Sequence, residues 1–231
     1  MAIKGFQGTS LLDFPGRVAS LIFYGGCNLS CPFCHNPALV QNPHHYPDIP
    51  IADVMAMLEQ RCGFIDGVVI SGGEPTLDPD LAVLLRQIKQ LELQVKLDTN
   101  GLRPAVLESL LDQRLLDYVG IDIKTALPRY TELHHSSVDV DAVMRSVMLL
   151  KQVDIEVEFR TTCVPGLVEE DEIHAVGALL HGAPLWVLQQ FVAETAMAPA
   201  MQQCAPHSVS TLGEFAIIAE GYVGKVFIRG I

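Results

Sequence analysis

Short apolar runs alternate along the chain with stretches in which apolar residues recur every three or four positions. Most of the runs are rich in Val and Ile, which is typical of strands buried in a parallel sheet. The predicted strands are Val18–Tyr24, Gly67–Ser71, Gln94–Asp98, Tyr118–Ile123, Glu156–Thr162, Leu185–Phe191 and a last short strand, Val226–Arg229.

The stretches between the runs have helical spacing. Pro50 and Pro104 each suit the first turn of a helix, and Asp78-Pro79 is a typical N-cap followed by proline. The acidic residues 169–172 suit the positive end of another helix dipole. The apolar faces that carry these predictions are Ile51/Val54/Leu58, Leu81/Leu84/Leu85/Ile88/Leu91, Val106/Leu107/Leu110/Leu111, Val143/Val147/Leu150 and Leu212/Phe215/Ala216/Ala219.

Six strand–helix units in succession predict an α/β protein with a parallel sheet and right-handed crossovers. Six units are fewer than a closed (β/α)8 barrel contains, so a partial (β/α)6 three-quarter barrel is expected. We expect a single domain over residues 1–231, with residues 1–16 as an N-terminal hairpin or cover and residues 17–231 as the six units plus the last strand. A doubly wound sheet is the alternative, which the missing Gly-rich dinucleotide fingerprint disfavours. In both folds the functional site lies at the carboxyl ends of the strands.

Composition narrows the possible functions. A net charge of −12 argues against a nucleic-acid substrate, because phosphate binding needs Lys and Arg. No apolar run approaches the ~18 residues of a membrane span, and the N-terminus lacks the apolar core of a signal peptide, so a cytoplasmic protein is expected. Three of the six cysteines, Cys62, Cys163 and Cys204, are scattered, which does not indicate a disulfide framework.

The other three cysteines lie in one loop directly after the first predicted strand. Cys27, Cys31 and Cys34 have the spacing Cys-x3-Cys-x2-Cys. Thiolates this close in sequence can bind one metal centre, but zinc usually takes four ligands. Three thiolates on a [4Fe–4S] cluster would leave the fourth iron open to another molecule. Buried unpaired thiols, or zinc or redox use, are the alternatives that the spacing leaves open.

This loop, with Phe33 just before its last cysteine, resembles the signature of the radical S-adenosylmethionine (SAM) superfamily. The resemblance implies a [4Fe–4S] cluster on Cys27, Cys31 and Cys34, SAM as the second cofactor, and the three-quarter barrel fold. It also implies that the segment Gly72-Gly73-Glu74-Pro75, at the end of the second strand, binds the amino group of SAM. An ordinary turn before a helix is the alternative for this segment.

Polar residues at four other strand ends extend the resemblance. It implies SAM contacts for Asp98, Thr99, Asp122 and Lys124, and a candidate monovalent-cation site at Asp98 and Asp122. The planar guanidinium of Arg160 suits the carboxylate of SAM. A structural ion pair with Asp122 is the alternative for Arg160 and Lys124. At the end of the sixth strand, Gln190 is a candidate contact for adenine or for a peptide substrate.

Within the superfamily the chain resembles activating enzymes of glycyl-radical enzymes. The segments Asp98-Thr99-Asn100-Gly101 and Cys34-His35-Asn36-Pro37 carry this resemblance, and segments 9–16 and 67–75 are most similar to the activating proteins of anaerobic (class III) ribonucleoside-triphosphate reductase. The implied activity is reductive cleavage of SAM to a 5′-deoxyadenosyl radical, which generates a glycyl radical on a partner enzyme. The resemblance also implies a one-electron donor such as flavodoxin or ferredoxin. The implied reaction requires no catalytic acid or base.

Three alternatives to this function remain open at the level of sequence. The first is an activating enzyme of another glycyl-radical enzyme, of the pyruvate formate-lyase type. The second is a radical SAM enzyme that modifies a small molecule or a peptide. The third is a metal-binding or scaffold protein without enzymatic activity.

Overall fold

The structure, a computed structural model, describes residues 1–134 and 137–231. His135 and Ser136 lie outside the described residues. The strands in the described ranges are β1 (Ile3–Ser10), β2 (Ala19–Tyr24), β3 (Gly67–Gly72), β4 (Gln94–Thr99), β5 (Tyr118–Asp122), β6 (Glu156–Cys163), β7 (Trp186–Gln190) and β8 (Val226–Arg229). The α-helices there are α1 (Pro37–Gln41), α2 (Ile51–Glu59), α3 (Leu81–Gln90), α4 (Pro104–Asp112), α5 (Val140–Leu150), α6 (Glu170–Leu180), α7 (Pro199–Gln202) and α8 (Val209–Glu220).

The chain divides into two compact units. The first comprises Met1–Asn28, Ala38–Thr99 and Ala105–Val119, and the second comprises Leu29–Pro37, Asn100–Pro104 and Gly120–Ile231. The strand order is β1-β2-β3-β4-β5 in the first unit and β5-β6-β7-β8 in the second, because the division falls within β5. Neighbours in the sheet are therefore neighbours in the chain, as short crossovers require.

In the first unit, β2, β3 and β4 are parallel, with Ala19 opposite Gly67 and Gly67 opposite Gln94. Helices α2 and α3 bury most of the apolar faces that their sequence spacing predicts. The exceptions are Ile51 and Leu91, which are half-buried. At one end of the sheet the rings of Phe14 and Tyr118 meet edge to face, with centroids 5.7 Å apart. This contact joins the segment before β2 to the start of β5.

The second unit continues the same pattern. Strands β6, β7 and β8 are parallel, and the Ile123 N–H donates to the Arg160 carbonyl oxygen at 2.8 Å at the end of β5. The fully buried Trp186 donates its indole N–H to Thr161 Oγ1 at 3.0 Å. Helix α6 begins with the predicted acidic turn, in which the Glu169 N–H donates to Glu172 Oε2.

Each strand predicted from the sequence agrees with the structure to within one residue at each end, and the α/β class with a parallel sheet is confirmed. Among the described residues, no helix has both the length and the apolar character that crossing a membrane requires.

The structure refines two local predictions. Residues 1–16, which were expected to form a hairpin or cover, contain a single strand, β1, that pairs antiparallel with β2. Strand β1 was not predicted, because its sequence of glycines and polar residues contains no continuous apolar run. Backbone hydrogen bonds to β2 hold such a strand at the edge of a sheet. Helix α3 begins at Leu81, not at Pro79, because Asp78 ends a short 3-10 helix and its side chain accepts the N–H of Asp80.

Candidate cofactor site

In the first unit, the turn after β3 packs backbone against backbone with the segment after β2. The N–H of Gly73 donates to the carbonyl oxygen of Tyr24 at 2.8 Å, and the N–H of Glu74 donates to that of Gly26 at 2.9 Å. A Cβ on Gly73 would lie 1.8 Å from the Gly26 oxygen, and Gly72 has a φ of +114°. Both glycines of the GGEP segment are therefore required by the backbone itself.

Glu74 is fully buried, and its carboxylate is held by hydroxyl and amide donors of the same unit. Its Oε1 accepts the Thr76 N–H at 3.1 Å, the Thr99 hydroxyl at 2.8 Å, and the Thr76 hydroxyl. The structure thus brings together two of the predicted site residues, Glu74 and Thr99. Sequence reasoning missed Thr76, although it directly follows the GGEP segment.

Asp98 is paired with a lysine that the sequence analysis did not select. The ammonium of Lys96 lies 2.8 Å from Asp98 Oδ1, and the Lys96 side chain is 1% exposed. The same ammonium lies 5.6 Å from the centroid of the Tyr118 ring. The available signal was the alternation Lys96-Leu97-Asp98, which places both charges on one face of β4. A monovalent cation bound at Asp98 would have to share the Asp98 carboxylate with the buried ammonium of Lys96.

The cysteine loop is anchored within the second unit at several points. Cys31 and Phe33 are buried, and the Cys34 N–H donates to the Cys31 carbonyl oxygen at 3.0 Å. Leu133 accepts the N–H of Ser30 at 3.2 Å, and Pro32 accepts the N–H of Ala198 at 2.8 Å. Residues 29–34 are thus held by their backbone, independently of any bound group.

The cysteines in this loop, Cys27, Cys31 and Cys34, are not joined to one another by disulfide bonds. Cys27 belongs to the first unit, where it follows the two glycines that end β2. In the described ranges, no group of three or more His, Cys, Asp or Glu side chains is arranged as a metal site. The assignment of these cysteines as cluster ligands therefore stays a prediction that rests on the donor set and its spacing.

The protonation of Cys31 depends on burial and on a nearby lysine. Burial raises the pKa of the Cys31 thiol to about 11, and Lys124 is the strongest influence in the opposite direction. A bound metal ion removes the proton of a coordinating thiol outright. The donor set therefore fits an iron–sulfur cluster, with a cation near one ligand to favour the thiolate.

Asp122, Lys124 and Arg160, all predicted site residues, form one ionic group in the second unit. Asp122 Oδ2 lies 2.9 Å from the Lys124 ammonium, and Asp122 Oδ1 accepts Arg160 Nε–H at 2.8 Å. Burial acts to raise the pKa of Asp122, but Arg160 and Lys124 hold it well below its usual range. Burial acts to lower the pKa of Lys124, and Asp122 raises it above its ordinary value. The structural ion pair named as an alternative is thus present.

Two further charges extend this ionic group, and sequence reasoning did not select either of them for the site. Glu158 on β6 is 0% exposed, and its Oε2 lies 2.9 Å from Arg229 Nη2 on β8. Its other oxygen, Oε1, lies 3.6 Å from Arg160 Nη1. The sequence could have indicated Glu158 as a site residue, because its charge alternates with apolar residues along the strand. No local sequence pattern indicates Arg229.

Gln190 has its amide engaged by backbone groups. Its Nε2 donates to the His207 carbonyl oxygen at 2.8 Å, and its Oε1 accepts the Phe191 N–H at 3.0 Å. These bonds tie the end of β7 to the segment before α8. A ligand contact through Gln190 stays a prediction.

Replacing Gly73 by alanine should destabilise the protein strongly. The new Cβ cannot occupy a position 1.8 Å from a backbone oxygen, so the turn must move. We expect a loss of about 3 kcal/mol in the free energy of unfolding, at the upper end for overpacking. Gly213 in α8 is the matched control, because a Cβ there would meet no heavy atom within 4 Å, and Gly213→Ala should be neutral or stabilising. Equal stability of both variants in urea unfolding would contradict the packing described for Gly73.

Residues 21–177 match the family described as the Radical SAM superfamily. Because the match spans more than half of the chain, the chain belongs to this superfamily. The cofactors of this superfamily are a [4Fe–4S] cluster and SAM. The chain is therefore a radical SAM enzyme.

Two related proteins are similar in sequence to this chain over most of its length. The "putative glycyl-radical enzyme activating enzyme MJ1227" of Methanocaldococcus jannaschii is 32% identical over 99% of this chain and 96% of its own length. The pyruvate formate-lyase-activating enzyme of Streptococcus mutans is 29% identical over 74% of this chain and 68% of its own.

A solved structure resembles the fold. SuiB of Streptococcus suis, solved with bound S-adenosylmethionine, has a TM-score of 0.67 at 15% identity. The similarity covers 91% of this chain and 52% of SuiB, so this chain spans about half the length of that protein. The likeness confirms the expected fold of the radical SAM type.

Proposed function

We propose that this chain is an activating enzyme that generates a glycyl radical on a partner enzyme. The observation that carries the proposal is the 32% identity to a protein named as such an activating enzyme, over nearly the full length of both chains. Similarity to a pyruvate formate-lyase-activating enzyme over 74% of this chain supports the same class. The partner that we favour is anaerobic ribonucleoside-triphosphate reductase, on the basis of segments 9–16 and 67–75.

In this function the chain holds and orients its cofactors, which carry the chemistry. Cys27, Cys31 and Cys34 would bind the cluster through their thiolates. When bound and reduced, the cluster with SAM supplies a 5′-deoxyadenosyl radical that can take a hydrogen atom from a glycine. Phe33, buried next to Cys34, would help to keep water from this end of the loop.

Charged residues at the ends of the strands would position SAM. Glu74, fixed by Thr76 and Thr99, would accept a hydrogen bond from the ammonium group of SAM. Arg160, oriented by Asp122, would bind its carboxylate. Gly72 and Gly73 would allow the backbone to approach the ligand, and Asp98 and Lys124 would contribute to the charge of the site.

The partners follow from the same proposal. The protein substrate is a glycyl-radical enzyme, and the electron donor is a small redox protein such as flavodoxin or ferredoxin. A nucleic-acid substrate is not expected for a chain with a net charge of −12. The cytoplasmic location predicted from the sequence also stays a prediction.

The test is anaerobic reconstitution of the protein with iron, sulfide, SAM and a reductant. We expect a glycyl-radical signal in electron paramagnetic resonance, with methionine and 5′-deoxyadenosine as products, when the purified anaerobic reductase is added. Pyruvate formate-lyase in place of the reductase distinguishes the two partner types. SAM cleavage that turns over with a small molecule, and no radical on either protein, would contradict the proposal.

A further inference from the structure

A fully buried tyrosine follows β5 in the second unit. Tyr130 lies in the 3-10 helix Leu127–Leu133 and is 0% exposed. Its hydroxyl oxygen accepts the N–H of Lys124 at 3.0 Å. A phenol can both accept and donate a hydrogen bond. In the described ranges, no group accepts the O–H proton of Tyr130, so only the acceptor half of this hydroxyl is used by the protein.

A buried donor without an acceptor lowers stability, and each such group in a native protein requires an explanation, such as a bound group or a redox role. Burial raises the pKa of Tyr130 above its ordinary value, so the hydroxyl keeps its proton and stays a donor. The bond from the Lys124 N–H fixes the position of the oxygen without using this proton. Tyr130 is therefore suited to donate to a group that the protein binds.

The 3-10 helix that carries Tyr130 is attached to the cysteine loop. The carbonyl oxygen of Leu133 accepts the N–H of Ser30 at 3.2 Å, and Ser30 directly precedes Cys31. The hydroxyl of Ser30 also lies 3.0 Å from His134 Nδ1. Three residues make one turn of a 3-10 helix, so Tyr130 lies one turn from this attachment.

Electrostatic effects in the second unit also connect Tyr130 with Cys31. Burial is the main cause that raises the pKa of Tyr130, Lys124 opposes it, and the negative charge of a Cys31 thiolate adds to it. Burial acts to lower the pKa of Lys124, whereas Asp122 and then Cys31 raise it. The three groups thus lie close enough for the charge of one to act on the others.

We propose that the hydroxyl of Tyr130 donates a hydrogen bond to a sulfur of the cluster bound at Cys31 and makes that cluster easier to reduce. The proposal rests on the predicted cluster, whose reduction potential depends on hydrogen bonds to its sulfurs. Reduction adds one electron and makes the sulfurs more negative, so the hydrogen bond is stronger in the reduced state. Tyr130 keeps its proton throughout, and the electron comes from the external donor. In the proposed function the cluster must be reduced before SAM is cleaved, so Tyr130 would raise the fraction of protein ready to react.

The decisive experiment compares Tyr130→Phe with the wild type after anaerobic reconstitution. Phenylalanine retains the ring and removes only the hydroxyl. The balance between reduced and oxidised cluster should move about tenfold towards the oxidised form, as expected for the loss of one charge-assisted hydrogen bond. For a one-electron couple this is a fall of about 59 mV in reduction potential. The measurement is a titration with dithionite and redox mediators, followed by electron paramagnetic resonance in the absence of SAM.

Thr125→Val is the matched control. Thr125 is 0% exposed, and its hydroxyl donates to the carbonyl oxygen of Leu167 at 2.7 Å. This variant also loses one buried hydroxyl next to Lys124, but a hydroxyl whose proton already has an acceptor in the protein. Both variants should have lower melting temperatures, whereas the reduction potential should fall only in Tyr130→Phe. An equal fall in both variants, or an unchanged potential in Tyr130→Phe at full iron content, would overturn the proposal.

A second measurement uses the wild-type protein and does not depend on the folding of a variant. Protein produced with ring-deuterated tyrosine should show deuterons coupled to the reduced cluster in pulsed electron paramagnetic resonance. The coupling should be absent from Tyr130→Phe. A reduced wild-type cluster without any tyrosine deuteron nearby would overturn the proposal, and Tyr130 would then be only the acceptor for the Lys124 N–H.

Failure of the proposed function gives a different result. If the reconstituted wild-type protein holds no cluster, the cofactor site is misassigned and the role of Tyr130 is wrong as well. If the potential falls in Tyr130→Phe but the wild type forms no glycyl radical on either partner enzyme, the role of Tyr130 stands and the proposed function is wrong. Iron content, reduction potential and the radical signal are separate measurements, which keeps these outcomes distinct.

Discussion

A Cys31→Ala protein should fail to retain a [4Fe–4S] cluster and should not cleave SAM. The chain offers three cysteines in this loop, and the loss of one leaves two thiolates for a cluster that needs three from the protein. Cys31 is also buried, so no exposed side chain can take its place without rearranging the loop. We expect iron content and 5′-deoxyadenosine formation to drop to background after anaerobic reconstitution. Cys27→Ala and Cys34→Ala should behave in the same way.

Cysteines outside the loop are the matched controls. Cys62 is exposed and Cys204 is half-buried, and alanine at either position should leave iron content and SAM cleavage near the wild-type values. Cys163 is fully buried in β6, where burial raises the pKa of its thiol to about 12, so it is a packed thiol and Cys163→Ala should retain the cluster. Full SAM cleavage by Cys31→Ala, or cluster loss in one of these controls, would show that the ligands are misassigned.

Arg160→Met should weaken SAM binding by about ten- to a hundredfold, the range for a charge-assisted contact of roughly 1.5–3 kcal/mol. The cluster should still assemble, because Arg160 is not an iron ligand. Asp122 retains Lys124 at 2.9 Å as a partner, which limits the loss of folding stability. The measurements are SAM affinity, iron content and melting temperature, with Arg145→Met as the exposed arginine control.

Glu74→Gln should weaken SAM binding by at least about tenfold for the same reason. Glutamine retains an oxygen that can accept the bonds from Thr76 and Thr99, but it loses the charge that would face the ammonium group. The cluster should again assemble. If SAM affinity is unchanged in Glu74→Gln and Arg160→Met while the melting temperature falls steeply, both residues are structural and not ligand contacts.

The positions of the strands and the candidate cofactor loop could be read from the sequence because both are local patterns. The run Val68-Val69-Ile70 in β3 is apolar because its side chains are fully buried, as is typical of a strand in a parallel sheet. The spacing of Cys27, Cys31 and Cys34 is a property of one short segment, as is the need for glycine at Gly72 and Gly73. Strand β1 was not predicted from the sequence. Its antiparallel pairing with β2 depends on backbone hydrogen bonds and produces little pattern in the side chains.

Ion pairs, in contrast, were decided by the tertiary structure. One partner of Glu158 is Arg229, 71 positions away, and the register of β6, β7 and β8 brings the two together. The burial of Glu74 among Thr76 and Thr99 likewise depends on the adjacency of β3 and β4. By itself the sequence determined the positions of the strands, the cysteine loop and the class of cofactor. Which charge pairs with which other charge was set by the parallel register, because a distance of a few ångströms between strands bears no relation to separation along the chain.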